Sequence, residues 1–185
     1  MQTEPIHSPN YSPSHSLMQT ESSELEWQWI AFSDMTARQL YEVMILRQRI
    51  FLIEQNCVYQ DADGLDSISL HGCGRTSAGI QAYARIVPPH TACPQPAIGR
   101  VLVTPSWRSR GTGSDLMRRA LAQSERLYCG RDIALSAQFH LQEFYGRLGF
   151  RAVGSQYDDA GIPHIDMLRV APSLSAQKFI AMASR

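Results

Sequence analysis

The sequence lacks an excess of charge of either sign, since 17 basic residues balance 17 acidic ones over 185 residues. Proteins that bind nucleic acid or a membrane surface usually carry a basic excess, so we expect neither partner. There is also no uninterrupted apolar stretch of the roughly 20 residues needed to span a bilayer. The length is enough for one domain with a buried core.

Cysteine is scarce, with four residues at positions 57, 73, 93 and 129. Their spacing fits neither a zinc knuckle nor a redox motif. Lysine and arginine are absent before Arg38, so the N-terminal region resembles neither a secretory signal nor an arginine-rich transit peptide. We therefore expect free thiols and a cytoplasmic location.

The two ends of the chain differ from its centre. Residues 1–24 are dominated by Ser, Pro, Thr and Gln and have no apolar periodicity. Such a segment buries too little surface to offset the entropy lost on ordering, and we predict a disordered N-terminal extension. The folded domain is expected over residues 25–171, and residues 172–185 are expected to form a C-terminal tail.

The apolar pattern predicts seven strands with helices between them. Thr36 and Gln39 form a capping box, and the helix that follows has an apolar face interrupted only by Arg47. Two further helices are predicted at 113–127 and 139–148. Strands are predicted at 27–32, 69–73, 80–87, 98–104, 133–136, 150–157 and 164–170. This arrangement indicates an α+β (mixed α/β) fold.

The most informative run leads from an apolar strand at 101–103 through a loop into the helix that begins near Gly113. Gly111 and Gly113 allow the backbone to approach a ligand closely, and free amides at a helix N-terminus attract phosphate. Arg108 and Arg110 add positive charge. The run lacks the lysine of a P-loop and the third glycine of a dinucleotide fingerprint. The residues alone therefore allow either a phosphate site or an ordinary glycine loop that caps a helix.

This run, with Arg108, Gly111 and Gly113, resembles motif A of the GNAT acetyltransferases. Residues 144–150 resemble motif B of that family, in which a tyrosine, here Tyr145, precedes a Gly-Phe pair by four residues. The likeness extends to the ElaA branch of the superfamily through residues 47–61, 82–85, 137–145 and 161–167, and it covers about 27–170. It implies the GNAT fold, a mixed central sheet of six to seven strands flanked by helices, with a splay between two central strands.

The resemblance also implies acetyl-coenzyme A as the acyl donor, held in the cleft between those strands. The Val101 amide would stabilise negative charge on the thioester oxygen, and Val103 would bind the pantetheine arm, which pairs like an added strand. The backbone amides of 109–114 would hold the pyrophosphate. The implied donor-binding residues are Val101, Leu102, Val103, Arg108, Ser109, Arg110, Gly111, Thr112, Gly113, Ser114 and Gln138.

Tyr145 occupies the position of the family's general acid, which protonates the leaving thiolate. A phenol suits this role because its pKa is close to that of a thiol. The motifs do not assign a general base, since 97–104 contain no glutamate. The candidates for the base or the acceptor pocket are Glu54, His71, His140 and His164. Deprotonation through water, without a dedicated residue, is an equal alternative.

The predicted function is transfer of an acetyl group from acetyl-coenzyme A to a primary amine by direct attack in a ternary complex. An acyl-enzyme route is disfavoured because no cysteine occupies a suitable motif position. The alternatives are a non-catalytic module that binds or senses acyl-coenzyme A and an interaction scaffold that uses the extension and tail. A homodimer is compatible with the sequence. Asp61, Asp63, Gly64 and Asp66 lack the full pattern of a calcium loop, so no metal is expected.

Overall fold

The computed structural model describes residues 24–171. The strands are β1 (Glu26–Ala31), β2 (Leu70–Thr76), β3 (Gly79–Val87), β4 (Ala97–Val103), β5 (Ile133–Gln138), β6 (Arg151–Asp159) and β7 (Ile162–Arg169). The α-helices are α1 (Ala37–Arg47), α2 (Thr112–Leu127) and α3 (Gln142–Gly146). A π-helix, Gln48–Glu54, continues α1. The predicted extension and tail lie outside the described residues, except for Glu24, and stay predictions.

The seven strands form one sheet in the order β1-β2-β3-β4-β5-β7-β6. Strands β4 and β5 are parallel and all other neighbours are antiparallel. The sheet is therefore mixed and has helices packed against it, which confirms the predicted fold class.

The two central strands separate along most of their length. Their register contains a single pair, Ala97 with Ala134, and the Ala134 amide donates to the Pro96 carbonyl over 2.9 Å. Beyond this point β4 continues to Val103 and β5 continues to Gln138. The predicted splay between two central strands is confirmed, and it opens toward the carboxyl ends of both strands.

The sheet buries apolar side chains on both faces. On one face, α2 contributes the fully buried Leu116 and Met117 to a core cluster that also contains Ile133 and Tyr145. On the other face, α1 and the π-helix pack Val43, Leu46, Ile50 and Phe51 against the sheet. Both helices therefore hold the central strands in place from opposite sides.

Tryptophan and glycine form matched pairs at the β1 edge. Trp29 lies opposite Gly72, and Trp27 lies opposite Gly74, across the antiparallel ladder. A Cβ atom added at Gly72 would lie 2.4 Å from the Trp29 ring. The indoles thus lie directly over glycine backbone, which explains why a strand would contain two glycines despite their poor strand propensity.

Two helices differ from the prediction. The apolar spacing after Arg47 predicts continued α-helix, but the backbone widens to a π-helix, with the Gln55 amide donating to Ile50 O over 3.0 Å. The helix predicted at 139–148 is shorter, because a 3₁₀ turn at Phe139–Leu141 precedes α3. Across residues 24–171, none of the helices has the length and apolar character needed to cross a bilayer.

Candidate active site

The splay opens a cleft of about 630 Å³. Its walls are β4, β5, the segment after α1, and the hairpin of β6 and β7. Four of the predicted site residues line this cleft together, namely Val101, Gln138, Tyr145 and His164. They come from four separate elements, so only the tertiary fold brings them into one site.

A β-bulge lies in the splayed part of β4. Tyr83 pairs with Leu102 and Arg85 pairs with Gly99, so two β4 residues, Arg100 and Val101, face one β3 residue between them. Neither Arg100 nor Val101 has a Cα partner among the described strand residues. A bulge leaves the extra residue outside the ladder, and both Arg100 and Val101 line the cleft at this point.

Tyr145 reaches the cleft from α3 and is 6% exposed. Its ring packs edge-on against Phe144 and Phe150, with centroid distances of 5.0 and 6.2 Å. Burial raises the pKa of Tyr145 to about 12, because the charged phenolate is poorly solvated there. The phenol hydroxyl has no hydrogen-bond partner within residues 24–171 and remains protonated at neutral pH, so it has a proton to donate. The raised pKa also makes it a weaker acid than an ordinary phenol, so the match to a thiol pKa that the sequence suggested is poorer in this structure.

His164 lies on β7 directly opposite Gln138 of β5. Its Nδ1 bonds to the Ile162 carbonyl over 2.8 Å, and its ring stacks on Tyr157 with centroids 6.2 Å apart. Because a carbonyl only accepts, Nδ1 carries the hydrogen. In the neutral ring Nε2 is then an unprotonated acceptor.

A polar network continues from His164 along the hairpin. The Tyr157 hydroxyl donates to Asp166 Oδ1 over 2.8 Å and lies 2.5 Å from Ser136 Oγ. Asp166 and Ser136 both line the cleft. The network fixes the Tyr157 ring and thereby the surface on which the imidazole of His164 rests.

The glycine loop has the backbone shape of an anion site. Ser109 and Gly111 both have positive φ, at 59° and 81°, and alternation with left-handed residues turns successive amides toward one side. Gly111 is the N-cap of α2 and has no side chain to cap it. The first amides of this 16-residue helix are thus open to a phosphate group.

The two arginines of the loop make different contacts. Arg108 Nε donates to the Val103 carbonyl over 2.9 Å, and its Nη2 pairs with Glu54 Oε1 over 2.7 Å. The Arg110 guanidinium lies over the Trp107 ring, 5.6 Å from its centroid. Glu54 therefore lies beside the predicted donor loop as the ion partner of Arg108.

A hydrogen bond between two glutamine side chains joins the end of the π-helix to β5. Gln138 Nε2 donates to Gln55 Oε1 over 3.0 Å, and both residues line the cleft. This contact connects the segment after α1 to the open end of the splay.

The other two candidate bases lie elsewhere among the described residues. His71 is fully buried on β2, with Nδ1 2.7 Å from the Tyr83 hydroxyl and Nε2 3.0 Å from Asp66 O. Burial lowers the pKa of His71, since it disfavours the charged ring. His140 is exposed on the turn before α3. Neither belongs to the lining of the cleft.

Sequence reasoning missed a largely buried cluster of three arginines and three aspartates beside the cleft. Arg47 donates through Nε to Asp61 and through Nη1 to Asp66, over 2.8 and 2.7 Å. Arg85 bonds to both Asp63 and Asp66. The aspartates of the calcium-like loop are thus held by arginines. The sequence feature that could have indicated this cluster is Arg47, which interrupts the apolar face of α1.

Arg100 completes this charge cluster. Its Nε lies 2.7 Å from Asp61 Oδ1, and its Nη2 lies 3.0 Å from Asp63 Oδ2. Burial by itself would raise the pKa of Asp63, but hydrogen bonds from Arg85 and the Leu65 amide hold it well below its usual range. Three positive and three negative side chains therefore neutralise one another at the wall of the cleft.

Known proteins share both the sequence and the fold. A sequence model of the acetyltransferase (GNAT) domain matches residues 83–170. A UPF0039 protein of Synechocystis sp. is 44% identical over 152 residues, which are 81% of this chain and 99% of the relative. Protein ElaA of Escherichia coli is 38% identical over 147 residues, 78% of this chain and 96% of ElaA.

Solved structures agree with these sequence relatives. The crystal structure of an acyl-CoA N-acyltransferase from Pseudomonas aeruginosa has a TM-score of 0.76 at 40% identity, covering 79% of this chain and 99% of that one. The fold and the matching domain are those of acyl-coenzyme A-dependent acyltransferases. The chain belongs to the GNAT family, in its ElaA-like branch.

Proposed function

We propose that the protein transfers an acetyl group from acetyl-coenzyme A to a primary amine by direct attack in a ternary complex. The observation that carries this proposal is the convergence of three residues, Val101, Tyr145 and His164, in the lining of one cleft. Together they supply an oxyanion donor, an acid and a base, which are the groups that aminolysis of a thioester needs.

The donor lies along the open edge of β4 in this proposal. The amides of 109–114 and the start of α2 bind the pyrophosphate, as the positive φ values of Ser109 and Gly111 support. The pantetheine arm pairs with the backbone near Val103, and the thioester carbonyl accepts from the Val101 amide. Strand addition at a splayed edge supplies backbone donors and acceptors without a dedicated side chain.

The chemical steps then follow from the two proton-transfer groups. Nε2 of His164 takes a proton from the ammonium ion, and the neutral amine nitrogen then attacks the thioester carbonyl. The carbonyl oxygen gains negative charge, which the Val101 amide stabilises. When the C–S bond breaks, Tyr145 gives its proton to the leaving thiolate, and the nitrogen gives its remaining excess proton to the Tyr145 phenolate. His164 returns its proton to solvent, and the products are the amide and free coenzyme A. Glu54 is left to pair with Arg108 in this assignment.

The charges of the cleft support an amine as the acceptor. The six members of the charge cluster cancel, which leaves Asp159 and Asp166 as cleft carboxylates without an arginine partner among the described residues. An amine arrives at neutral pH largely as the ammonium ion, and two uncompensated carboxylates attract it.

The test combines titration with acetyl-coenzyme A and measurement of thiol release over a panel of primary amines. Binding with thiol release for one amine class is the expected result. Binding without release for any amine would argue for the alternative function, a module that binds acyl-coenzyme A without catalysis. Absence of binding would overturn the donor site.

A further inference from the structure

We propose that Arg100 is a positioning residue for the transfer reaction: its side chain holds the β4 bulge in the conformation that directs the Val101 amide into the cleft. This inference rests on the proposed function, because it assigns the Val101 amide to the thioester carbonyl. Arg100 itself does not touch the reacting atoms in this assignment.

The backbone of Arg100 is strained. Its φ is +53°, in the left-handed region that residues with a side chain rarely adopt. It lies directly before Val101 in the bulge, so its φ and ψ decide where the Val101 amide points. A strained residue of this kind persists only when its surroundings determine its conformation.

Contacts of the Arg100 side chain hold the residue in this conformation. Its guanidinium donates to Asp61 Oδ1 over 2.7 Å, to Asp61 O over 3.1 Å and to Asp63 Oδ2 over 3.0 Å. The same group lies over the Tyr59 ring, 5.3 Å from its centroid. Tyr59 in turn donates from its hydroxyl to Asp61 Oδ1 over 3.0 Å. Three hydrogen bonds and one stacked ring therefore fix a single placement of the guanidinium.

The partners of Arg100 are themselves fixed. Asp61 receives two further bonds of 2.8 Å from the fully buried Arg47 of α1. Asp63 receives bonds of 2.7 and 2.6 Å from the buried Arg85 of β3. The anchor thus reaches from the bulge to a helix and a neighbouring strand, and it cannot shift without breaking buried ion pairs.

A glycine would adopt this φ without strain. Replacing Arg100 with glycine therefore distinguishes a position that only forms the bulge from a side chain that positions the Val101 amide. If the position only had to form a bulge, glycine would serve equally well or better. If the side chain positions the amide, glycine would leave the bulge free to move. The second case predicts a loss in the chemical step, because an oxyanion donor acts only when it is correctly placed.

The experiment compares wild type with Arg100→Gly and Arg100→Lys in steady-state transfer to the amine that supports thiol release. We expect Arg100→Gly to lower kcat by about 10- to 100-fold. This is less than the roughly 10²- to 10³-fold for complete loss of one oxyanion donor, because the amide is misplaced and not removed. The KM for acetyl-coenzyme A should change by less than about threefold, since the pyrophosphate loop is untouched. Arg100→Lys should recover part of kcat, because an ammonium can reach one aspartate but cannot bridge two.

Arg147→Gly provides the matched control, since the side chain of this arginine, directly after α3, is 80% exposed. Thermal unfolding of each variant shows that the fold is retained. Wild-type kcat in Arg100→Gly would overturn the proposal, and so would a loss confined to KM.

A second measurement tests the role of Arg100 independently of the proposed function. The proposed function fails if wild type releases no thiol with any amine, but the role of Arg100 can still be tested by NMR. The amide resonance of Val101, observed by NMR, should shift when acetyl-coenzyme A binds to wild type and shift much less in Arg100→Gly. Equal shifts in the two proteins would overturn the role of Arg100 even where no acceptor is known.

Discussion

The Nδ1 atom of His164 donates its hydrogen to the carbonyl of Ile162, two residues earlier on the same strand. The partner is backbone of the strand itself, so the tautomer is set by the fold and does not depend on a ligand. Nε2 has no hydrogen-bond partner in the described part of the chain. The imidazole is thus prepared to accept a proton from a group in the cleft.

Replacing His164 with Gln is therefore expected to lower kcat/KM for the amine by about 10²- to 10⁴-fold, the usual range for loss of a general base. The measurement is thiol release at saturating donor over a range of amine concentrations. His140→Gln is the control, since His140 is exposed outside the cleft. An unchanged kcat/KM in His164→Gln would favour deprotonation through water.

Replacing Tyr145 with Phe is expected to lower kcat by about 10²-fold or more, because the leaving thiolate loses its proton donor. Stability should change little, since the hydroxyl has no hydrogen-bond partner within the described range and the ring contacts with Phe144 and Phe150 are retained. The pKa of about 12 predicts that Tyr145 keeps its proton up to about pH 11, so it causes no alkaline loss of rate below that.

Tyr128→Phe, at a partly buried tyrosine beyond α2, is the matched control for this change. Single-turnover thiol release at saturating donor isolates the chemical step. If Tyr145→Phe keeps full turnover, water or the coenzyme itself must supply the proton.

The two glycines of the loop should respond differently to alanine. Gly111 has φ +81°, so Gly111→Ala is expected to cost about 1–2 kcal/mol of unfolding free energy and to turn the loop amides away from the pyrophosphate. Gly113 has no such φ, and an added Cβ would meet Phe144 at an ordinary 3.6 Å. Gly113→Ala should therefore be neutral or stabilising, as alanine is in a helix.

Calorimetric titration with coenzyme A and thermal unfolding measure the two effects. The expected order of affinity is wild type and Gly113→Ala first, with Gly111→Ala at least tenfold weaker. Equal affinity in all three proteins would show that the pyrophosphate does not bind at this loop.

The charge cluster should make stability depend on acid pH. Burial alone would raise the pKa values of Asp63 and Asp66, but hydrogen bonds from arginines lower both below their ordinary values. Their stabilising contribution is present above about pH 4, the pKa of an unfolded aspartate, and is lost as pH falls through the lower folded values. Each carboxylate contributes a slope of up to about 1.4 kcal/mol per pH unit in that window.

Urea unfolding between pH 7 and pH 2 measures this slope. Asp63→Asn should be less stable at pH 7 and have a shallower slope below pH 4, whereas Asp34→Asn, an exposed aspartate outside the cluster, should match wild type. Parallel slopes for Asp63→Asn and wild type would show that Asp63 is not held ionised by its arginines.

Local patterns predicted the parts of the fold that depend on neighbouring residues. All seven strands are confirmed because alternation and turn residues lie within each segment, as in the turn between β2 and β3. Residues far apart in sequence decide the remainder. The cluster around Arg47 depends on loop aspartates 14 and 19 residues away, which no helical period can indicate. The apolar spacing of 48–54 likewise predicted α-helix where the backbone forms a π-helix.

The candidate site shows the same division. Tyr145 and Val101 were predicted from motif resemblance, while four residues competed for the role of base on residue type alone. The fold places His164 in the cleft and His71 in a buried network with Tyr83. The bulge at Arg100 could not be predicted, since no glycine marks its left-handed φ in the sequence and its partners Asp61 and Asp63 lie 39 and 37 residues away. The catalytic roles themselves stay predictions.

The Val103 carbonyl already accepts a hydrogen bond from Arg108, whose other end pairs with Glu54. Because a carbonyl oxygen has two lone pairs, a pantetheine amide that reaches it either shares the oxygen with the guanidinium or replaces it, and the net gain from this bond is small in both cases. We therefore expect affinity for the proposed donor to come mainly from its nucleotide end, at the loop amides. A short acyl thioester without the nucleotide is then expected to bind more weakly than acetyl-coenzyme A.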